Sequence, residues 1–124
     1  MNNRYEAETR ERWGDTEAYR EYDKKTKGYT KEKWAEATDG LMAIFAELAI
    51  CKASGATPGS VEVQELIVKL QNHITDNYYT CTDEIFAGLG KMYVADERFK
   101  KNIDKNGDGT AEFAAEAIAI KVGA

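Results

Sequence analysis

A cysteine and two tyrosines lie together in the middle of the 124-residue chain, and their side chains are well suited to chemistry. Cys81 comes just before a predicted helix, where unsatisfied N–H groups favour the thiolate. Tyr78 and Tyr79 precede it and offer broad, rigid surfaces to an apolar ligand. Asp83 and Glu84 oppose ionisation of the thiol, so the sequence leaves open whether Cys81 is a reactive nucleophile or a structural cysteine.

A hydrolytic mechanism is a second interpretation of the same region. His73 and Asp76 are one helical turn apart and precede Cys81, as in a cysteine hydrolase. No residue pattern indicates an oxyanion hole or a third, orienting group, so we expect no enzymatic activity. One histidine and two distant cysteines also make a poor zinc or haem site, and we expect no cofactor and no metal.

Residues 104–112, with the sequence DKNGDGTAE, resemble the opening of a calcium-binding EF-hand loop. Oxygen-bearing side chains occupy the first, third and fifth positions, and a glycine occupies the sixth. The twelfth position is Ala115, where a bidentate glutamate is needed, and the eighth is Ala111. A calcium-responsive helical module is therefore the alternative function, beside a simple capped turn between helices.

The elements that position these residues are all predicted to be helices. Apolar residues recur at three- and four-residue steps from residue 30 to about 53, from 60 to about 80, from 82 through 93, from 96 through 103, and from about 110. No run alternates with period two, so the fold is predicted to be all-α with five main helices. Good N-cap residues precede four of them, namely Thr30, Ser60, Thr82 and Asp96. Gly88 and Gly90 lie in the third of these segments, and each costs about 1 kcal/mol relative to alanine in a helix, so we expect close packing or the approach of a ligand to compensate.

The N-terminal third has a different composition. Between Met1 and Leu41 there is no Leu, Ile, Val or Met, although six tyrosines and tryptophans occur there. Two short helices are predicted, at about residues 5–13 and 16–27, with Trp13 at the end of the first. Their aromatic faces either pack permanently on the main helices or form a lid that orders when a ligand adds apolar area.

Charge and composition limit the classes of partner. The net charge of −5 and pI of about 5.0 argue against direct nucleic-acid binding, which needs clustered Lys and Arg. No membrane span or signal peptide is apparent. Cys51 is predicted to be small buried filler, and the two cysteines fit reduced thiols in the cytoplasm. The length fits one domain over residues 1–124, with a lid segment at 1–29 and a helical core at 30–124.

Two longer stretches carry a family resemblance. Residues 78–99 read YYTCTDEIFAGLGKMYVADERF and are followed by Asn-Ile-Asp at 102–104, while residues 11–19 read ERWGDTEAY. In order and together, they resemble the TipAS family, the antibiotic-recognition domain of TipA-type regulators of the MerR class. The resemblance implies a globin-like arrangement of the main helices and an N-terminal lid. It also implies that Cys81 adds to a dehydroalanine of a thiopeptide antibiotic after non-covalent capture.

Together these observations predict a non-enzymatic domain that binds a bulky apolar natural product, for transcriptional activation or drug sequestration. The family's winged helix-turn-helix and dimerising coiled coil are not in this sequence. We expect Phe86 and Tyr93 to be mainly core residues, and Tyr79 and Trp13 to face the ligand more. The predicted ligand-binding residues are Cys81, Tyr78, Tyr79, His73, Asp76, Phe86, Tyr93 and Trp13.

Overall fold

The computed structural model describes residues 17–123, and every regular element in that range is a helix. The helices are α1 (Glu17–Thr26), α2 (Lys31–Ala53), α3 (Val61–Asn77), α4 (Asp83–Ala95), α5 (Glu97–Asp104) and α6 (Thr110–Val122). The predicted all-α class and its five main helices, α2 to α6, are confirmed. Helix α1 corresponds to the second predicted N-terminal helix. The first, with Trp13, lies outside the described residues.

Local capping explains where four of the main helices begin. In each case a hydroxyl or carboxylate oxygen accepts a hydrogen bond from a backbone N–H two or three residues further on, which satisfies a donor that the helix leaves unpaired. The capping residues are the four predicted ones, Thr30, Ser60, Thr82 and Asp96.

Helix α3 ends earlier than the sequence predicts. It was expected to end near Thr80, but its last residue is Asn77. The backbone N–H groups of Tyr78 and Tyr79 both donate to the carbonyl of Ile74, at 2.9 and 3.2 Å, so the helical ladder stops there. Residues 78–82 form a non-helical turn between α3 and α4, which we call the corner. Cys81 lies in it.

The core lies where α2, α3, α4 and α6 meet. Helix α4 packs along α6, and α2 packs along α3. Gly90 permits the first of these contacts, since a Cβ at this position would lie 3.2 Å from Cγ2 of Ile118. The buried core side chains include Phe45, Leu48, Val63, Ile67, Leu70, Ile74, Cys81, Phe86, Tyr93, Ile103, Phe113 and Ile118.

Three further sequence expectations can be compared with this core. Phe86 and Tyr93 are buried, as their helix positions predict, and the ring of Tyr93 lies 5.6 Å from that of Phe45. Cys51 is only partly buried and packs against the edge of the core, so it is less enclosed than expected. Within residues 17–123, no helix is long and apolar enough to span a membrane.

Candidate functional site

Cys81 is held in place through its backbone. Its N–H donates to Oγ1 of Thr75 at 3.1 Å, and its carbonyl accepts from Nε2 of Gln71 at 2.8 Å. Both partners belong to the last turns of α3. The corner therefore folds back on the helix that precedes it, and this carries the Cys81 side chain into the core, where the residue is only 4% exposed.

The electrostatic surroundings of Cys81 favour the neutral thiol. Burial and, to a smaller extent, the nearby carboxylate of Asp83 raise the pKa of Cys81 to about 11, while Lys121 opposes both effects. Lys121 is already paired with Asp83, because its Nζ lies 2.7 Å from Oδ1 of that carboxylate. The sequence left open whether the N-terminus of α4 would lower the pKa of Cys81 or the acidic residues Asp83 and Glu84 would raise it. In this arrangement the thiol is protonated at neutral pH.

An aromatic cluster lies directly beside the corner and consists of Tyr22, Tyr29, Trp34, Tyr78 and Tyr79. Tyr22, on α1, is at its centre, with its ring centroid 6.2 to 6.5 Å from those of Trp34, Tyr78 and Tyr79. The ring of Tyr29 meets Trp34 edge-on at 5.3 Å. Burial raises the pKa of Tyr78, although a side-chain hydrogen bond with Thr38 opposes that shift. All five rings are partly exposed and form an apolar wall.

The sequence did not predict which residues of α1 contact the corner and the end of α3. The carboxylate of Glu21 accepts from both the N–H and the hydroxyl of Thr80, at 2.9 and 2.7 Å. Nζ of Lys25 donates to the carbonyl of Thr75 at 2.7 Å. The only sequence signal for these contacts is that residues 21, 22 and 25 share one face of a helix.

His73, near the end of α3, links that helix to α2, and its hydrogen bonds define its tautomer. Its Nε2 lies 2.8 Å from the carbonyl oxygen of Ala37, which only accepts, so Nε2 carries the proton. Nδ1 is then the acceptor for the side-chain amide of Asn77, at 3.4 Å. The imidazole is pressed against α2 at Gly40, where a Cβ would lie 2.5 Å from its Cε1. With both nitrogens engaged in this way, His73 links α3 to α2.

A groove of about 540 Å³ runs between α2 and α3, and both His73 and Asp76 line it. The imidazole of His73 also contacts Tyr78, with ring centroids 6.4 Å apart. The structure thus brings Tyr78, Tyr79 and Cys81 together at the corner, with His73 on its border. Asp76 lies on the groove, and Phe86 and Tyr93 support the site from within the core.

The EF-hand-like loop connects α5 to α6. Oδ1 of Asp104 accepts from the N–H of Ala111 at 2.9 Å, and Oδ2 lies 3.2 Å from Nζ of Lys100. Although burial opposes the charge, these hydrogen bonds hold the pKa of Asp104 below its usual value. The carboxylate therefore caps α6, whose N-cap residue, Gly109, has no side chain to do so. In residues 17–123, no three His, Cys, Asp or Glu side chains are grouped as a metal site, so the calcium alternative gains no support.

Comparison with known proteins identifies the family. The model of the TipAS antibiotic-recognition domain matches residues 5–121. The chain belongs to the TipAS family. It is 38% identical over 114 residues to the HTH-type transcriptional activator TipA of Streptomyces coelicolor, a match that covers 92% of this chain and 45% of that protein. It is 34% identical over 116 residues to the HTH-type transcriptional activator mta of Bacillus subtilis, covering 94% and 44%. The chain thus spans less than half the length of these relatives.

A solved TipAS structure from Streptomyces lividans, described as a complex with the thiopeptide antibiotic nosiheptide, has the same fold. The TM-score is 0.89 with 36% sequence identity, and the match covers 97% of this chain and 84% of the other. The expected globin-like helical arrangement is therefore confirmed for this TipAS domain.

Proposed function

We propose that this TipAS domain is a stoichiometric, non-enzymatic receptor for a bulky and largely apolar natural product, such as a thiopeptide antibiotic. The observation that carries the proposal is the position of Cys81 beside an aromatic wall in a chain of the TipAS family. The nosiheptide complex of the similar structure supports the ligand class.

The proposed binding surface is built from residues with different tasks. Tyr78 and Tyr79 supply flat apolar area, to which large macrocycles bind with little loss of side-chain entropy. Trp13 adds a further ring from the segment that precedes α1. Asp76 supplies a polar contact at the border with the α2–α3 groove, and His73 contributes the face of its ring there. Phe86 and Tyr93 hold the wall in position from the core.

We further propose that capture ends in a covalent bond. The Sγ–H of Cys81 adds across the carbon–carbon double bond of a dehydroalanine, so that sulfur bonds to the β-carbon and a proton is delivered to the α-carbon. The addition has no leaving group and no change in overall redox state. Because the pKa of Cys81 is about 11 when it is buried, the reaction requires the corner to open and the thiol to ionise.

The biological role follows from the longer relatives. In a regulator, drug capture by this domain would be coupled to transcription through DNA-binding parts outside this chain; alone, the domain would sequester the drug. We assign DNA contacts to those other parts, because this chain carries a net charge of −5. We place this activity in the cytoplasm, away from the membrane.

Intact-mass spectrometry after incubation with thiostrepton tests the proposal. We expect an adduct with the mass of the antibiotic in the wild-type chain and in Cys51→Ala, but none in Cys81→Ala. A thermal shift without an adduct would restrict the function to non-covalent binding. If neither thiostrepton nor nosiheptide gave an adduct or a thermal shift, thiopeptide recognition would be contradicted.

A further inference from the structure

A chain of polar contacts joins three helices beside Cys81. Gln71 on α3 uses its side-chain nitrogen to donate to the carbonyl of Cys81 at 2.8 Å and to Oδ1 of Asp83 at 3.0 Å. The same carboxylate oxygen accepts from Nζ of Lys121 at 2.7 Å. A single amide nitrogen therefore connects the backbone of Cys81 to a carboxylate–ammonium pair.

This Asp83–Lys121 pair is held by the helices and not by the corner. Asp83 is in the first turn of α4 and Lys121 is in the last turn of α6, and these two helices pack along each other. The corner itself comprises residues 78–82, so the pair keeps its place when the corner moves to admit a ligand. The Lys121 side chain is only 23% exposed, and water screens its charge less than that of a free surface lysine.

The two charges of the pair act on the Cys81 thiol in opposite directions. A nearby carboxylate disfavours the thiolate, and a nearby ammonium group favours it. Burial is the main cause of the raised pKa of Cys81, but Asp83 raises this pKa too and Lys121 lowers it. Hydrogen bonds from Lys121 and Gln71 keep the pKa of Asp83 below its usual value, so the carboxylate is ionised. Without Lys121, its negative charge would be uncompensated.

Other charged groups near the corner do not provide the same control. Helix α1 contributes one carboxylate and one ammonium group there, and both are engaged by neighbours of Cys81. Glu21 accepts from the N–H of Thr80, and Lys25 donates to the carbonyl of Thr75. Their opposite signs offset each other. Glu84 is exposed, where solvent screens its charge.

We propose that the Asp83–Lys121 pair controls the reactivity of Cys81, and that Lys121 is a positioning residue that favours capture by offsetting the charge of Asp83. In the addition, the sulfur loses its proton and bonds to the β-carbon, and a proton is delivered to the α-carbon, while Lys121 remains protonated throughout. Gln71 orients the carboxylate on which Lys121 acts. The inference rests on the proposed function for its biological purpose, since it names residues that adjust the same capture site.

Alkylation of Cys81 by iodoacetamide tests this control without any antibiotic. The thiolate displaces iodide from an uncharged reagent, so the charges of the pair act on the thiol alone. All variants carry Cys51→Ala, and the rate is followed by intact mass at one fixed pH and low ionic strength. We expect Asp83→Asn to raise the rate roughly two- to fivefold and Lys121→Met to lower it by a similar factor. The double variant should lie between them.

The opposite directions distinguish a charge effect from a structural one. Both substitutions break the same contact between α4 and α6, so a purely structural tie would make Cys81 more accessible in both variants. The matched controls are Glu47→Gln and Lys69→Met, which divide an exposed ion pair between α2 and α3. Their alkylation rates should equal that of the parent. In about 1 M sodium chloride, the difference between Asp83→Asn and Lys121→Met should shrink.

A change of both variants in the same direction, or rates that match those of the controls, would overturn the proposal. The same order of rates is expected for adduct formation with thiostrepton. If thiostrepton forms no adduct but the iodoacetamide rates keep their order, the charge control is upheld and the proposed ligand is not. Failure of the charge control and failure of drug capture are therefore distinguishable.

Discussion

The ring of Tyr22 on α1 stacks on the ring of Tyr78 at the end of α3, with centroids 6.4 Å apart and an interplanar angle of 28°. This pair joins a helix that contains no Leu, Ile, Val or Met to the domain that contains the aliphatic core. The stability of α1 on the domain therefore depends on aromatic packing, supplemented by the hydrogen bonds of Glu21 and Lys25.

Replacement of Tyr22 by alanine should detach α1 while the core remains folded. Aromatic pairs contribute about 0.5–1.5 kcal/mol beyond simple area burial, and Tyr22 contacts several rings at once. We expect amide hydrogen exchange over residues 17–29 to accelerate roughly tenfold or more, with little change in α3, α4 and α6 away from the corner. Tyr22→Phe keeps the ring and is the control. Unchanged exchange in Tyr22→Ala would show that the aromatic contacts do not hold α1.

Burial of the Cys81 thiol should make the domain less stable at alkaline pH. The pKa is raised from 9.0 to about 11 in the folded chain, so the neutral thiol contributes stability that is fully present below pH 9. This contribution is lost as the pH rises through the folded value. Between pH 8 and pH 10.5, as rough working points, the wild type should lose more free energy of unfolding than Cys81→Ala.

Chemical denaturation of the wild type and Cys81→Ala at both pH values measures this difference. Because the two proteins share all lysines and tyrosines, the titration of those groups cancels in the comparison. Cys51→Ala provides the matched control and should behave like the wild type. Parallel losses in the wild type and Cys81→Ala would mean that the thiol is not buried in solution.

The sequence predicted the helix starts well because they depend on neighbouring residues. Thr30, Ser60 and Thr82 each bond to an N–H within their own first turn, so their role is visible without a tertiary structure. The end of α3 was placed too late for the opposite reason. Thr80 bonds to Glu21, which is 59 positions away, and no local pattern reveals that the chain leaves the helix to make this contact.

The sequence places Tyr78, Tyr79 and Cys81 together but does not reveal how their side chains are oriented. Tyr78, Tyr79 and Cys81 are neighbours in sequence, so their proximity was certain. Whether the Cys81 side chain points into the core or into solvent depends on the packing of α3, α4 and α6. The structure shows it in the core. The contact of Lys25 with Thr75, 50 positions away, was invisible for the same reason.

The two glycines of α4 should respond in opposite ways to the same substitution. A Cβ at Gly90 would approach Cγ2 of Ile118 to 3.2 Å, whereas one at Gly88 would meet nothing within 4 Å. Gly90→Val should therefore lower the free energy of unfolding by about 1–3 kcal/mol through overpacking between α4 and α6. Gly88→Val should be neutral or slightly stabilising, because valine is a better helix former than glycine. Urea denaturation measures both, and equal effects would contradict the close contact of α4 with α6.

Asp104 should stabilise the domain as a helix cap whether or not calcium is present. Its carboxylate satisfies the N–H of Ala111 in the first turn of α6, and loss of such a cap costs about 1–2 kcal/mol. We expect Asp104→Ala to lower the free energy of unfolding by this amount equally in EDTA and in calcium chloride. Asp108→Ala, at the fifth position of the EF-hand-like sequence, is exposed and should change stability little in either buffer. If both variants lost stability only when calcium is present, the loop would be a metal site and the capping role of Asp104 would be secondary.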